Sequence, residues 1–117
     1  METNDAVEGL SALAHPGRLN AFRLLVQAGA AGLPAGEIAG RLQMPSSSLS
    51  TNLNILAQAG LVRSRRESRS IIYTANYDSM RELLAFLLED CCAGAPEICA
   101  PLAAIANSCC APEPKLA

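Results

Sequence analysis

Apolar residues recur at intervals of three and four along most of the chain, and between residues 61 and 75 they give way to alternation. Val7, Leu10, Leu13 and Ala14 keep helical spacing and predict a helix over Asp5 to Ala14. His15-Pro16 breaks it, and Pro16 suits the first turn of a second helix, where its missing N–H would have no intrahelical partner. Leu19, Phe22, Leu25 and Val26 carry that helix to Ala28, and Gly29 and Gly32 end it. A short helix follows over Ala35 to Leu42, with Ile38, Ala39 and Leu42 inward. Pro45 turns the chain, Ser46 offers a capping hydroxyl, and Leu49, Leu53 and Leu56 form the apolar stripe of a fourth helix that stops at Gly60. Leu61 to Arg65 and Ser70 to Ala75 alternate as two strands joined around Glu67-Ser68-Arg69. A last helix, capped by Asn76 or Asp78, runs from Ser79 to about Cys92 with Met80, Leu83, Leu84, Leu87, Leu88 and Cys91 on one broad apolar face. Gly94 and Pro96 then break it.

A short helix, a tight turn and a second amphipathic helix make a helix-turn-helix, and the hairpin after it makes the motif winged. The expected fold is therefore mainly α, a winged helix-turn-helix of about five helices with a two-stranded wing. Half of the 117 residues are hydrophobic, but the chain has no Trp, two Phe and two Tyr, so its core is built from Ala and Leu. Such a core suits closely packed helices and a dimer that shares them. The first residues, METNDAVEG, lack the basic and apolar regions of a signal peptide, and the longest apolar run, Leu83 to Leu88, is far short of the ~20 residues of a membrane helix. The expected compartment is the cytoplasm, with no membrane partner. Thiols stay reduced there, and clustered cysteines bind metal or sense redox more often than they form structural disulfides.

With the leucine stripe of the fourth helix facing the core, Ser47, Thr51, Asn54 and Gln58 point away from it, Ser50 lies on the flank, and Ser48 joins the same exposed turn. Asn52 lies nearer the core and is expected to be structural. Short hydroxyl and amide side chains reach base edges in the major groove at little desolvation cost. An ordinary surface helix of this length would carry Lys or Glu, and this one has neither. The hairpin that follows holds Arg63, Arg65, Arg66 and Arg69 against Glu67, a basic patch in a chain of formal net charge −2. Arginines at a hairpin tip suit phosphates or the minor groove. The alternative is a solubilising edge strand.

Here the chain resembles the ArsR–SmtB family of winged-helix metal-responsive repressors, over roughly Leu10 to Cys99. The most specific stretch is SSSLSTNLNILAQAGLVRSRRESRSIIYTANY, with Ser50-Thr51-Asn52-Leu53 at the family's Ser-x-His-Leu, then Leu56-Ala57-Gln58-Ala59-Gly60-Leu61-Val62 and the arginine-rich wing closing on Tyr73. LAHPGRLNAFRLL is similar to the family's opening helix pair. Asn52 stands where the family has His. The resemblance implies a homodimer, formed largely by the first and last helices, that binds double-stranded operator DNA at an inverted repeat and leaves it when a ligand binds. Residues 1–99 are expected to form the DNA-binding and dimerisation domain, and the Ala/Pro-rich composition of 100–117 predicts a Cys-containing, partly flexible tail. No enzymatic activity is expected, because no His or buried base stands near a cysteine to activate it.

All five cysteines fall in the last quarter of the chain. The helix before the recognition helix, AGEIAGRL, has no cysteine, so the family's Cys-x-Cys arsenic site is absent, and the single His15 excludes its Asp/His zinc site. A third family type places a Cys-Cys pair at the end of the last helix with another Cys after it. Cys91, Cys92 and Cys99 resemble that arrangement. Thiolates select soft ions, and trivalent arsenic or antimony takes three sulfurs in a pyramid, whereas zinc prefers four ligands. The expected inducer is As(III), with Sb(III) and trivalent organoarsenicals as variants. Adjacent side chains on a helix diverge by about 100°, so chelation by both members of the pair requires the helix end to fray. Cys91 also continues the apolar helix face and could pack as a small hydrophobe. Cys109 and Cys110 form a second pair that could be accessory. The same fold with a thiol-based redox or persulfide switch, or with cadmium or lead bound, remains the alternative. A DNA-independent arsenic-sequestering protein is a further one, and the arginine wing weighs against it.

Overall fold

The computed structural model of the chain describes residues 1–89, 97, 98, 100–102, 104 and 105. The chain divides into two compact units, Met1–Phe86 and Leu87–Ala117. In order, the elements are α1 (Thr3–Leu13), α2 (Pro16–Ala28), β1 (Leu33–Pro34), α3 (Ala35–Leu42), α4 (Ser46–Gln58), β2 (Val62–Glu67), β3 (Ser70–Ala75) and α5 (Tyr77–Leu88). Residues 97, 98, 100–102, 104 and 105 are also helical. This is the winged helix-turn-helix order that the residue pattern predicts. It adds one element, β1, which makes the wing a three-stranded antiparallel sheet in the order β1-β3-β2. Leu33 pairs with Tyr73 and Pro34 with Ile72. Two residues are too few to show a period, and Pro34, which has no N–H to donate, is tolerated because β1 lies at the sheet's edge.

The helix ends show how the local sequence sets the turns. His15 is the N-cap of α2, and its Nδ1 accepts the Gly17 N–H at 3.1 Å. Helix α3 ends on Gln43 in the left-handed conformation (φ 53°, ψ 48°), and the Met44 N–H returns to the Ala39 carbonyl at 3.0 Å. That closure gives the tight turn into α4. The N-cap of α4 is Pro45, with no side-chain cap, and Ser46 lies inside the helix, in contrast to the capping role expected of it. A proline held near φ −58° already has the extended backbone that a cap needs. Asn76 does cap α5. Its Oδ1 accepts the Ser79 N–H at 3.3 Å while its Nδ2 donates to the Gly60 carbonyl at 2.9 Å, so one side chain starts α5 and fastens it to the end of α4. The Tyr77 hydroxyl donates to the Val26 carbonyl at 2.8 Å and so satisfies one of the carbonyls left free at the C-terminus of α2.

The core is centred on Leu25, Ile38, Leu49, Leu53 and Leu56, all fully buried. Each such side chain contributes about 1.5–3 kcal/mol relative to exposure. The stripe predicted for α1 turns the other way. Its buried residues are Ala6, Gly9 and Ala12, whereas Val7 is 57% and Leu10 41% exposed. The helix carries two stripes, and the small-residue one faces the core. A Cβ at Gly9 would sit 3.8 Å from Leu83 Cδ2, with Leu61 Cδ2 at 4.0 Å. On α5, Leu83 is buried and Leu84 is exposed, as are Leu87 and Leu88 further along the helix. Leu19 of α2 is exposed as well.

Gly32 is the tightest point of the fold. Its φ is +70°, and a Cβ there would lie 2.4 Å from the Tyr73 carbonyl oxygen, inside van der Waals contact with backbone. Gly29, at φ +79°, has open space around it. Gly32→Ala is expected to cost at least ~2 kcal/mol and Gly29→Ala about 1 kcal/mol. Urea unfolding at one fixed protein concentration checks both, and equal losses would show that the contact with Tyr73 adds nothing to the backbone strain.

Candidate nucleic-acid interface

The leucine stripe determines which way α4 faces. Leu49, Leu53 and Leu56 are at most 1% exposed, and the helix cannot rotate without uncovering them. The opposite face carries Ser47, Ser48, Ser50, Thr51, Asn54 and Gln58, and all six are exposed. The Thr51 hydroxyl donates back to the Ser47 carbonyl at 3.2 Å, which leaves its oxygen free to accept. Asn52 is buried at 8% exposure and its Nδ2 reaches Met44 Sδ at 3.5 Å, so it bridges the recognition helix to the turn before it. Gly17 closes on the same place, since a Cβ there would lie 3.0 Å from Asn52 Nδ2 and 3.1 Å from Met44 Cε. The start of α2, the turn and α4 therefore meet at one junction, consistent with a structural Asn52.

Strand register sorts the arginines. Arg63 pairs with Thr74, Arg65 with Ile72 and Arg66 with Ile71, so Arg63 and Arg65 share one face of the hairpin and Arg66 takes the other. On Arg66's face lies Tyr73, the partner of Ser64, which borders a pocket with Ser46, Leu49 and Ser50 at the first turn of α4. On the other face, Arg63 stands 3.9 Å from Asp78 of α5, which also pairs with Arg81. The Arg65 guanidinium bonds the Glu67 carboxylate at 2.7 Å and the Ala31 carbonyl at 2.9 Å. Arg66 and Arg69 have no hydrogen-bond or ion-pair partner among the described residues. The tip is a two-residue turn in which Ser68 takes the left-handed conformation (φ 56°), and it carries Arg69 outward.

The exposed polar face of α4 and the two uncommitted arginines make a surface suited to a duplex. Hydroxyls and amides are available for base edges, and guanidinium groups beside them for phosphates. The role of Tyr73 beside α4 was legible only as a family landmark, because a single Tyr in a short strand carries no pattern that points to a neighbouring helix. Cys91, Cys92, Cys99, Cys109 and Cys110 lie outside the described residues. Among the described residues, no group of three or more His, Cys, Asp or Glu side chains is placed to hold an ion. No described helix is long and apolar enough to cross a membrane.

Comparison with known proteins finds helix-turn-helix regulators. Residues 13–65, which span α2 to the start of the wing, match a family model described as a helix-turn-helix domain. The biofilm growth-associated repressor of Agrobacterium fabrum is 34% identical over 84 residues, 72% of this chain and 69% of its own length. The structure is similar to an ArsR-like transcriptional regulator from Rhodococcus, with a TM-score of 0.66, 28% identity and coverage of 92% of this chain and 93% of that one. It is also similar to the homodimeric winged helix-turn-helix DNA-binding domain of a Mycobacterium bovis protein, a possible ArsR-family regulator. There the TM-score is 0.61 and the identity 29%, over 73% of this chain and 77% of that one.

If Arg66 and Arg69 contact phosphates, Arg66→Ala and Arg69→Ala each weaken operator binding about equally on all sequences. Each also lowers the slope of log K against log salt by about 0.9. Anisotropy titrations at four salt concentrations measure that slope, and an unchanged slope in both variants would remove the wing tip from the interface.

Proposed function

Because the chain belongs to the ArsR family of winged helix-turn-helix, DNA-binding transcriptional regulators, which are not enzymes, we propose that it is a homodimeric repressor. It binds an inverted-repeat operator and is released by trivalent arsenic. The observation that carries the DNA-binding part is the wholly uncharged, exposed face of α4, held outward by its buried leucines. Homodimerisation is supported by the apolar residues of α1, α2 and α5 that are left exposed among the described residues. Val7, Leu10, Leu19 and Leu84 are each at least 41% exposed, and Leu19 and Leu84 border an apolar groove of about 300 Å³. A second copy covers such residues at no extra sequence cost, and two-fold symmetry then matches a palindromic operator.

Cys91, Cys92 and Cys99 are the proposed ligands of As(III), with Sb(III) or a trivalent organoarsenical as equivalents, and Cys109 and Cys110 as accessory thiols. The fit rests on the donor set. Three thiolates satisfy a pyramidal, thiophilic ion, and they fall short of the four ligands that zinc prefers. The bound ion would supply one thing, a link between the end of α5 and the residues after it. The protein's own part is to transmit that change. Helix α5 starts at Asn76 and Tyr77, which are bonded to Gly60 and Val26, so a shift in α5 is carried to the ends of α4 and α2. The two recognition helices of a dimer must sit about 34–36 Å apart to enter successive major grooves, and a small change in that spacing lowers affinity.

The test is fluorescence anisotropy of the reduced protein on its own labelled operator, titrated with arsenite, zinc and cadmium. Arsenite is expected to weaken binding by ~5–150-fold, the range of an allosteric coupling of about 1–3 kcal/mol. Cys91→Ser and Cys92→Ser keep operator affinity and lose the response. Release by oxidant alone would replace the arsenic reading with a redox or persulfide one, and release by cadmium but not arsenite with a divalent-metal one. Leu84→Glu places two carboxylates in the proposed dimer interface. It is expected to weaken the dimer by about 3 kcal/mol or more, seen as monomer in sedimentation. A dimer of unchanged affinity would move the interface elsewhere.

A further inference from the structure

We propose that Arg65 is a positioning residue, a strut that holds the wing at a fixed tilt against the body of the domain and does not contact phosphate. The inference rests on the operator-binding reading above. Its basis is where the guanidinium goes. Arg65 lies on β2, the strand farthest from β1, in the register row Arg65, Ile72, Pro34 that crosses all three strands. Its side chain reaches past β3 to the turn that leads into β1. There Nη2 donates to the Ala31 carbonyl at 2.9 Å and Nη1 approaches the Ala30 carbonyl at 3.4 Å, while Nε donates to the Glu67 carboxylate at 2.7 Å. All three guanidinium nitrogens are engaged within the chain. The group also points into the pocket bordered by Ala30, Thr74, Tyr77 and Asp78, on the opposite face of the hairpin from Tyr73 and α4.

The turn that receives Arg65 is itself closed by a hydrogen bond and packed against β3. The Gly32 N–H returns to the Gly29 carbonyl at 3.1 Å, and Gly32 is pressed against the Tyr73 carbonyl. Ala30 and Ala31 are the central residues of that turn, so no strand or helix partner takes their carbonyls, and Arg65 supplies donors to both. The hairpin is attached to the body at its base through buried Val62 and Ala75 and along β3 through buried Ile72 and the pairing with β1, while β2, the outer strand, is tied to the turn before β1 by Arg65. An outer strand held only by its pairing with β3 can twist about that strand. With β2 tied to the turn as well, Arg66 and Arg69 keep a set distance from the first turn of α4. Glu67 belongs to the same device, because it holds the Nε edge so that the two Nη groups face the carbonyls.

Arg is required for this and Lys is not equivalent. A planar fork can address three acceptors in fixed directions, whereas an ammonium is a point charge on a flexible stem. The distinction separates a strut from a phosphate contact, because Lys would serve a phosphate well. The full-length reduced protein and its Arg65→Lys and Arg65→Ala variants are compared in two ways. In the DNA-free protein, amide hydrogen exchange by NMR should speed up roughly ten-fold at β2, β3 and Ala30–Gly32 in both variants, with α4 unchanged. On the operator, both variants should bind roughly five-fold more weakly, since the wing must now be ordered on binding. Their salt slope should stay that of the wild type. If Lys restores affinity and Ala lowers the slope by about 0.9, Arg65 contacts phosphate and the proposal falls. Exchange in the wing that matches the wild type overturns it too. If the wild type binds no operator, the DNA-binding reading fails while the exchange result still decides whether Arg65 braces the wing.

Discussion

The burial of one leucine stripe governs the rest of this molecule. Leu49, Leu53 and Leu56 occupy the centre of the core with Leu25 and Ile38, and no other face of α4 could replace them, because the one other large apolar residue, Ile55, borders the same core and the remaining positions are polar or small. Turning the helix by a third of a revolution would expose the leucines and bury hydroxyls and amides without partners, at several kcal/mol. The recognition face is thus displayed by what lies behind it. The turn before α4 follows from the same constraint. Gln43 takes a left-handed conformation, and Asn52 reaches back to Met44, so that the helix can enter the core at the angle its leucines demand.

Charge is arranged by strand register in the wing. Four arginines within seven residues look like a single basic patch, but alternation along β2 sends them to two faces and a tip. On one face they meet Asp78, Glu67 and loop carbonyls. On the other face and at the turn they meet nothing among the described residues. A net count of the patch overstates the charge available to DNA, because ion pairs and carbonyl contacts within the chain use part of it.

Helices α1 and α5 each present two apolar faces, and a single protomer can cover only one of each. On α1 the small face of Ala6, Gly9 and Ala12 goes inward, next to Leu61 and Leu83. The larger stripe with Val7 and Leu10 is left outside, as is Leu84 on α5. An uncovered apolar stripe of this kind on a small domain is what a subunit interface looks like before it is filled. Helix α5 is also fastened to the end of α4 through Asn76 and to α2 through Tyr77.

By itself the sequence determined the winged helix-turn-helix, most of the helices to within a few residues, the polar face of α4 and the structural place of Asn52. These are local matters: a helical period of apolar residues, a proline or glycine at each end, and a wheel that can have only one inside. Tertiary structure decided what depends on a partner distant in the chain. Strand β1 exists only because β3 offers it an edge. Pro45, not Ser46, starts α4, because the chain's entry angle is set by α3 and Met44. The inward face of α1, next to Leu61 and Leu83, was chosen by packing against distant elements, which no period in α1 could reveal. Arg65 left the basic patch for the carbonyls of Ala30 and Ala31, some 35 residues earlier, because β3 brought them within reach. A pattern read along the chain records which residues are apolar or charged, and only the packed fold shows which neighbour each of them meets.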